Sequence, residues 1–354
     1  MSRKLDILVP HYNEPAELVI PLLDSIKMQR SVDLNQVGVI IAFDGPDATE
    51  LPLDEWRAHY PFAIEDVHIP KSGVSAARNA ALRASEAEVI TYVDFDDCYL
   101  DNRAFYILFR EMDAEPNPVE LAQFGITAED AGKGFDFLVS VFCEESKDPN
   151  TGEVVYLNHD LTDAVFVHGR VARRQWLLDN DLFFDDNVHV HEDSRWVQAC
   201  RAVAKPWRTK ACLHPFALWC FNPNSTCRRD PLYLQKTFNE LVASSDSLVD
   251  YFLRRGMETE AKQHAAALIF EAFYTLNKES WMTCSKSYRD AVEERVAQYY
   301  YKHESMWRSL TEQEKAIIST GVRQRSVMDG MLMEALTCDQ WLKRITEKYP
   351  PTTT

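Results

Sequence analysis

Short apolar runs alternate with helical patterns along the first hundred residues. Residues 5–10 (LDILVP) and 37–43 (VGVIIAF) are rich in β-forming side chains, and residues 67–70 (VHIP) form a weaker run of the same kind. A helical pattern at 75–85 leads into the run EVITYVDFDD at 88–97. Strands that alternate with helices at this spacing predict an α/β fold, with a mostly parallel sheet and helices on both of its faces.

The pattern changes beyond residue 231. Fourteen of the 16 prolines lie at or before that position, and none occurs from 232 to 349. Apolar residues recur every three or four positions in the stretches 232–255, 258–279, 287–307 and 311–346. Because this spacing places apolar side chains on one face of a helix, we predict an α/β domain at 1–230 and a helical C-terminal domain at 231–354, with Gly256 as a helix stop.

The composition fits a folded protein that does not cross a membrane. A chain of 354 residues with 46% apolar residues can bury two cores. No run approaches the roughly 20 uncharged apolar residues of a membrane span, and the apolar stretch at 7–9 is too short for a signal peptide. We therefore expect a cytoplasmic location. The eight cysteines show no CxxC spacing, so neither a thiolate metal site nor a disulfide framework is predicted.

Acidic residues dominate the chain, but not evenly. The formal net charge is −17, and residues 1–163 carry 12 basic against 31 acidic side chains. Residues 164–231 are locally basic, with 10 against 7. Since phosphate contacts need clustered Lys and Arg, this balance argues against non-specific binding to nucleic acid or anionic membranes. A local basic segment can still meet a diphosphate.

Three carboxylates follow the apolar run that ends at residue 93. In an extended chain Asp94 and Asp96 lie on the same side, and Phe95 points the other way. Two converging carboxylates suit Mg²⁺ or Mn²⁺, which bind oxygen ligands and share them with substrate phosphates. The alternative is that such an aspartate only caps the next turn. Three of them within four residues, Asp97 included, favour a metal–diphosphate site.

A glycine and small residues precede the predicted helix in GVSAARNAAL at 73–82. Gly73 lets the backbone approach a ligand, and the helix start aims backbone N–H groups at an anion. Arg78 and Asn79 lie in the first turns of this helix. Arg78 would contact a diphosphate, or it would be a solvated surface residue.

Four ordered motifs lie in the first hundred residues, namely VPHYNE (9–14), FDG (43–45), GVSAARNAAL (73–82) and YVDFDD (92–97). Together they resemble the family-2 glycosyltransferases of the GT-A fold. A later segment, VHGRVARRQWLLDNDLFFDDNVHVHEDSRW at 167–196, resembles the acceptor half of that family. The resemblance covers about residues 5–226 and implies a nucleotide-sugar-binding half at 1–100 and an acceptor half at 101–230.

The resemblance implies how the donor is held. Asp44 would hold a uracil-like base, Arg78 would face the diphosphate, and Asp94 would lie near the ribose and the metal. Arg170, from the locally basic segment, joins the donor-binding residues because a guanidinium suits phosphate oxygens. The complete donor-binding prediction is Pro10, Tyr12, Glu14, Asp44, Gly73, Arg78, Asn79, Asp94, Asp96 and Arg170.

The resemblance also implies the catalytic groups. Asp96 would be the principal protein ligand of Mn²⁺ or Mg²⁺, with Asp94 beside it, and His214 would complete the metal shell or be a core histidine. Asp193 would be the general base, because an acceptor hydroxyl must lose its proton as it attacks while the metal neutralises the departing diphosphate. One displacement of this kind inverts the sugar's configuration. By themselves, Glu192 and Asp193 favour an acidic helix start over a catalytic role.

One stretch departs from the family pattern. The segment HPFALWCFNPNSTCRR at 214–229 resembles the region where relatives often place Tyr-Tyr-Arg before Asn-Ser. Trp219 and Cys220 occupy those places here, so a diphosphate-binding arginine would instead be Arg228 or Arg229.

The acceptor and the role of the helical domain stay open at this stage. A surface glycan is the first expectation, and a hydroxymethylated DNA base, as in phage-type relatives, is the second. A nucleotidyltransferase would need a basic signature in the first turn, which HYNEPAE at 11–17 lacks. An inactive nucleotide-sugar-binding module would have lost an essential carboxylate, and Asp44, Asp96 and Asp193 are all present. The helical domain would recognise acceptor, form a homodimer or brace the fold.

Overall fold

The computed structural model divides the chain into two compact units, residues 1–222 and 223–354. The described parts of the chain are residues 3–113, 118–128, 144–147, 154–157, 166–205, 208–220, 222, 237–326 and 336–352.

The first unit is built on an eight-stranded mixed sheet with the strand order β3-β2-β1-β4-β9-β6-β10-β5. Neighbours from β3 to β4 pair in parallel, as do β6 and β10, whereas β9 runs antiparallel to both β4 and β6. A separate antiparallel pair joins β7 and β8. The strands are β1 Leu5–His11, β2 Val37–Asp44, β3 Ala63–Ile69, β4 Val89–Tyr92, β5 Cys98–Tyr99, β6 Leu121–Ala128, β7 Glu144–Lys147, β8 Val154–Leu157, β9 Arg170–Arg173 and β10 Thr209–Trp219.

The central strands β1 and β2 are buried along almost their whole length because both of their faces are covered. Every residue of β2 is buried, and in β1 all but Pro10 are. β1 lies in register with both neighbours, with Leu5 opposite Val37 on one side and Val89 on the other. These strands form one apolar core with the neighbouring helices. The helices of this unit are α1 Ile20–Lys27, α2 Leu53–His59, α3 Val74–Ala84, α4 Ala104–Met112, α5 Arg174–Asp179 and α6 Glu192–Val203.

Two strands differ from their predicted extents. β3 begins at Ala63, earlier than the predicted run at 67–70. The strand alternates between more and less buried positions, and its polar residues interrupt the apolar run that was used to predict it. β4 ends at Tyr92, so the acidic residues after Val93 lie in a turn and not in the strand. The alternation that would place Asp94 and Asp96 side by side therefore does not apply.

The second unit is helical throughout its described residues. Gly256 has φ +70 and ends the first helix, since glycine adopts this left-handed conformation without strain. The stretch predicted at 311–346 contains two helices, and residues 327–335 between them lie outside the described chain. Nowhere in the described chain is a helix both long and apolar enough to cross a membrane. The helices are α7 Phe238–Arg254, α8 Glu258–Leu276, α9 Lys286–Ser309, α10 Glu312–Ser326 and α11 Cys338–Lys348.

Candidate active site

The parallel strands β1, β2 and β4 deliver their last residues to one edge of the sheet. β1 ends at His11, β2 at Asp44 and β4 at Tyr92, two residues before Asp94. Ligands of open α/β sheets bind outside this carboxyl edge, because the loops there can vary while the strands stay fixed. The predicted site residues on these three strands consequently lie on the same side of the sheet.

Asp44 fastens the loop that precedes α3. Its carboxylate, 5% exposed, accepts the backbone N–H of Ser72 at 2.6 Å and of Gly73 at 3.0 Å. Lys71 Nζ lies 3.2 Å from the other Asp44 oxygen and 2.7 Å from the centre of the Tyr12 ring. Gly73 has φ +94, a conformation that strains any residue with a Cβ atom. Asp44, Tyr12 and Gly73 thus form one end of the site.

The turn after β1 is held by His11 and Glu14. His11 Nδ1 lies 3.2 Å from Glu14 Oε2, and the same oxygen accepts the Tyr12 backbone N–H at 2.8 Å. Burial raises the pKa of Glu14, but the hydrogen bonds from His11 and the backbone outweigh it, and the pKa falls below its ordinary value. The turn with the ionised Glu14 carboxylate follows Pro10, the half-buried residue near the end of β1.

Asp94, Asp97 and His168 form a group that could hold a metal ion. One ligand atom from each residue lies within 4.8 Å of the others. His168 Nε2 is 3.1 Å from Asp94 Oδ2 and 3.4 Å from Asp97 Oδ2. The other oxygen of Asp97 accepts the backbone N–H of Cys220, from the end of β10, at 3.0 Å. The group therefore joins the turn after β4 to the segments around β9 and β10.

Asp96 lies outside this group and points to a different partner. Its Oδ2 accepts a hydrogen bond from Asn222 Nδ2 at 2.8 Å. Burial raises its pKa above the ordinary value, and the nearby Asp94 charge adds to the effect. Because residues 95–96 form a turn, Asp96 and Asp94 contact different partners. The alternation of an extended strand predicts instead that their side chains lie together.

Burial and neighbouring charges give the three clustered groups different proton affinities. Burial raises the pKa of Asp97, which is 2% exposed, well above its usual range. Burial also acts to raise the pKa of Asp94, but His168 and Arg78 outweigh it and hold the pKa far below that range. For His168 burial lowers the pKa, but the Asp94 charge and hydrogen bond prevail and raise it to about 9.

The donor set fits a divalent cation. Two carboxylate oxygens and one imidazole nitrogen suit Mn²⁺, which accepts both atom types, better than Mg²⁺, which prefers oxygen alone. The raised pKa of the buried Asp97 reflects a carboxylate that lacks sufficient positive charge around it. A cation between Asp94, Asp97 and His168 would supply that charge.

Arg78 connects the two halves of the site. One of its terminal nitrogens is 2.6 Å from Asp193 Oδ1 and 3.1 Å from Glu192 Oε1, and the other is 3.1 Å from Asp94 Oδ1. The side chain is 3% exposed, and its guanidinium lies over the Phe184 ring. Burial acts to lower its pKa, but the charges of Asp193, Asp94 and Glu192 raise it above the usual value. Arg78 is therefore an anchor among carboxylates and not a solvated surface residue.

Helix α6 begins with the predicted base. Its first residues are Glu192 and Asp193, where the helix dipole favours negative charge, and His191 before them is left-handed with φ +65. Asp193 Oδ2 accepts the Val167 backbone N–H at 3.3 Å. Burial, followed by the charge of Asp193, raises the pKa of Glu192 to about 7.

Two predicted donor-binding residues are engaged in internal contacts. Asn79 donates to Phe184 O at 2.8 Å and to Asp186 Oδ1 at 2.9 Å, and its own Oδ1 accepts the Phe184 N–H at 2.9 Å. Arg170, 1% exposed, donates from Nε to Phe166 O at 3.1 Å. Burial lowers the pKa of Arg170 to about 9.

Three residues of the prediction cannot be placed in the site. His214 lies in β10, but its side chain falls outside the described residues, and so do Arg228 and Arg229.

Sequence reasoning missed His168 and the character of Glu192. His168 stands directly before Gly169, whose φ is +68 and whose added Cβ would lie 2.6 Å from Phe124 O. Of the motif at 167–170 only Arg170 was predicted to belong to the site, although His168 is the residue that reaches Asp94. The sequence feature that could have indicated His168 is its position directly before a glycine.

The chain belongs to glycosyltransferase family 2. The profile of "Glycosyl transferase family 2" matches residues 6–187, which include the ends of β1, β2 and β4. The mixed sheet and the helical C-terminal part agree with the predicted GT-A fold.

Individual relatives support this assignment. An uncharacterized glycosyltransferase of Bacillus subtilis (strain 168), EpsJ, is 26% identical over 225 residues, which are 62% of each of the two chains. Residues 1–349 of S. aureus TarS in complex with UDP superpose with a TM-score of 0.60 at 15% identity, covering 93% of this chain and 95% of that one. The same protein in complex with UDP-GlcNAc gives 0.59 at 16% identity over the same shares.

Proposed function

We propose that this protein is an inverting glycosyltransferase that moves a sugar from a UDP-type donor to an acceptor hydroxyl. The observation that carries the proposal is the convergence of Asp94, Asp97 and His168 beside the Arg78–Asp193 pair at the carboxyl edge of the sheet. A metal–diphosphate site and a candidate base thus lie on the two sides of one arginine.

The donor's nucleotide would bind at the Asp44 end of the site. Tyr12 offers a ring, Asp44 offers a carboxylate, and Glu14 and Pro10 shape the turn between them. The bound UDP of S. aureus TarS, on a similar fold, supports a uridine nucleotide. Gly73 would let the loop at 71–73 approach the donor closely.

Asp94, Asp97 and His168 would hold the divalent cation, and Asp96 remains a proposed ligand from the adjacent turn. When bound, Mn²⁺ or Mg²⁺ neutralises the charge that develops on the leaving diphosphate. Arg78 keeps Asp94 ionised and fixes it beside the diphosphate position. Arg78 would therefore affect the diphosphate only indirectly, by holding the Asp94 carboxylate in place.

Asp193 would accept the proton of the attacking hydroxyl. Arg78 and the Val167 N–H orient its two oxygens, at 2.6 and 3.3 Å. Glu192, with its pKa near 7, keeps a proton longer than an ordinary carboxyl and so limits the negative charge beside the base. A single displacement with one base inverts the anomeric centre.

We further propose a surface glycan as acceptor, a cytoplasmic location, and acceptor recognition or homodimer formation by the helical residues. A DNA acceptor is disfavoured because arginines of the locally basic segment serve internal contacts. Arg170 and Arg195 are 1% and 5% exposed, and Arg173 pairs with Asp113 at 2.9 Å. If DNA were the acceptor, duplex binding would weaken steeply with added salt.

A panel of nucleotide sugars tests the donor and the metal. We expect hydrolysis or transfer with a UDP-sugar that Mn²⁺ supports and EDTA abolishes. Asp97→Asn should reduce kcat/KM by at least about a hundredfold, which is about 2.7 kcal/mol of transition-state stabilisation. Asp47→Asn, at an exposed acid of the same edge, is the matched control. Full activity of Asp97→Asn, or turnover of no donor, would contradict the proposal.

A further inference from the structure

A cavity of about 350 Å³ lies within the helical unit. Its walls come from the end of α8, the segment between α8 and α9, the start of α9, and α11. A volume of this size is at the lower end of small-molecule sites, which span roughly 300–1,000 Å³.

Positive charge exceeds negative charge around this cavity. Five of its lining residues are basic and two, Asp290 and Glu293, are acidic. Both acids are already paired, because Lys348 Nζ lies 3.0 Å from Asp290 and 2.8 Å from Glu293, and Lys286 lies 2.5 Å from Asp290. The other three basic residues of the wall are Lys278, Arg289 and Arg344, and Arg289 donates to Met282 O at 2.7 Å.

Lys278 and Trp281 are the two side chains of the cavity wall that indicate a ligand. It is 8% exposed, and its ammonium makes no hydrogen bond or ion pair within the part of the chain that the structure describes. Trp281, 2% exposed, also lines the cavity, and its indole N–H has no acceptor among the described atoms. A buried donor without an acceptor is costly, so the Trp281 N–H favours a ligand that accepts a hydrogen bond.

We propose that this cavity binds a small phosphate ester. The phosphate oxygens would accept from the Lys278 ammonium and the Trp281 N–H, which supplies the anion and the acceptor that both lack. The wall also contains Leu276, Met282 and Ile345, which suit the carbon part of a sugar- or polyol-sized ester. The assignment depends on the helical unit alone and stands apart from the proposed transfer reaction.

Glycerol 3-phosphate is the probe for a binding test on the full-length protein, with the donor site saturated by UDP. We expect calorimetric binding of one equivalent and a shift of the Trp281 indole N–H signal in a ¹H–¹⁵N spectrum. Glycerol should not bind, and inorganic phosphate should bind more weakly than the ester. Equal affinity for phosphate and ester would overturn the role of the apolar wall.

Two variants separate binding from folding. Lys278→Met should weaken the binding of glycerol 3-phosphate at least about tenfold, because the charge that would pair with the phosphate is removed. Trp281→Phe keeps an aromatic side chain in place and should weaken binding through loss of the N–H alone. Lys343→Met, on the exposed side of α11, is the control and should bind like the natural sequence. Unchanged affinity in Lys278→Met would overturn the site.

Discussion

Arg78 holds three carboxylates with its two terminal nitrogens, and all of them lie in the candidate active site. Asp94 comes from the turn after β4, whereas Glu192 and Asp193 come from the start of α6. Without the guanidinium, these negative charges would face one another in a partly buried space. The position of Arg78 thus decides both the local stability and the geometry of the site.

Replacement of Arg78 tests this anchoring role. Arg78→Met should lower the free energy of unfolding by about 3–5 kcal/mol, because buried charges lose their partner. Arg83→Met changes an exposed arginine of the same helix and should stay within about 0.5 kcal/mol. Urea denaturation followed by circular dichroism measures both. If the Arg78→Met protein were as stable as the natural sequence, the anchoring role of Arg78 would be refuted.

His191 should make stability depend on pH. Burial lowers its pKa from 6.5 to about 4, so the folded state keeps it neutral while the unfolded chain takes up a proton below about 6.5. Stability therefore falls as the pH drops from 6.5 towards 4, by about 1–3 kcal/mol. His191→Asn, which tolerates the left-handed backbone, should reduce this loss. His189→Asn, at an exposed histidine two residues away, should leave the loss of stability at low pH unchanged. Equal pH profiles for the two variants would contradict the role of His191.

At the scale of elements, α3 serves as the support for the loop that leads to the base. Asn79 binds Phe184 through both its N–H and its carbonyl, and Ser75 Oγ donates to Val188 O at 3.1 Å. A helix that was expected to offer its side chains to the donor instead uses them to fix the segment before α6. The proposed base, Asp193, would be positioned by this indirect route.

Loosening of that segment should lower turnover. Asn79→Ala leaves the buried Phe184 N–H and carbonyl without partners, which should cost about 2–4 kcal/mol of stability at about 1–2 kcal/mol for each group. Since the start of α6 moves with the segment, kcat should fall more than UDP affinity does. Asn187→Ala, at an exposed asparagine of the same loop, is the control. Steady-state kinetics that show normal kcat for Asn79→Ala would refute the link.

At the scale of the whole molecule, the candidate active site is built from residues before 223, and residues 223–354 have a core of their own. Trp341, fully buried, packs near Phe273 in that second core, with ring centres 5.7 Å apart. The contacts described above for the proposed donor site all come from residues before 223.

Damage to the helical core should spare donor binding. Trp341→Leu should destabilise the helical unit by about 2–5 kcal/mol, because a large buried side chain leaves a cavity. UDP affinity at a temperature where both units remain folded should be unchanged. Calorimetry measures both quantities, and Lys343→Ala at an exposed neighbour is the control. A parallel loss of UDP affinity would show that the donor site depends on the helices.

The sequence by itself determined the class of fold and the family. Continuous apolar runs specify buried strands, and three- to four-residue spacing specifies helices, because these periods follow from local backbone geometry. The carboxylates at the ends of β2 and β4 could likewise be foreseen at the ligand-binding edge. The extent of β3 could not, since polar positions within the strand interrupt the apolar run.

Tertiary structure alone decided which side chains meet. His168 reaches Asp94 only because β9 pairs with β4, and Arg78 meets Asp193 only because the loop before α6 returns to α3. The turn at 95–96 directs Asp96 to Asn222, whereas Asp97 joins the cluster. A carboxylate pattern fixes the kind of chemistry, but partners far apart in sequence are chosen by strand order and turns, which local periodicity does not encode.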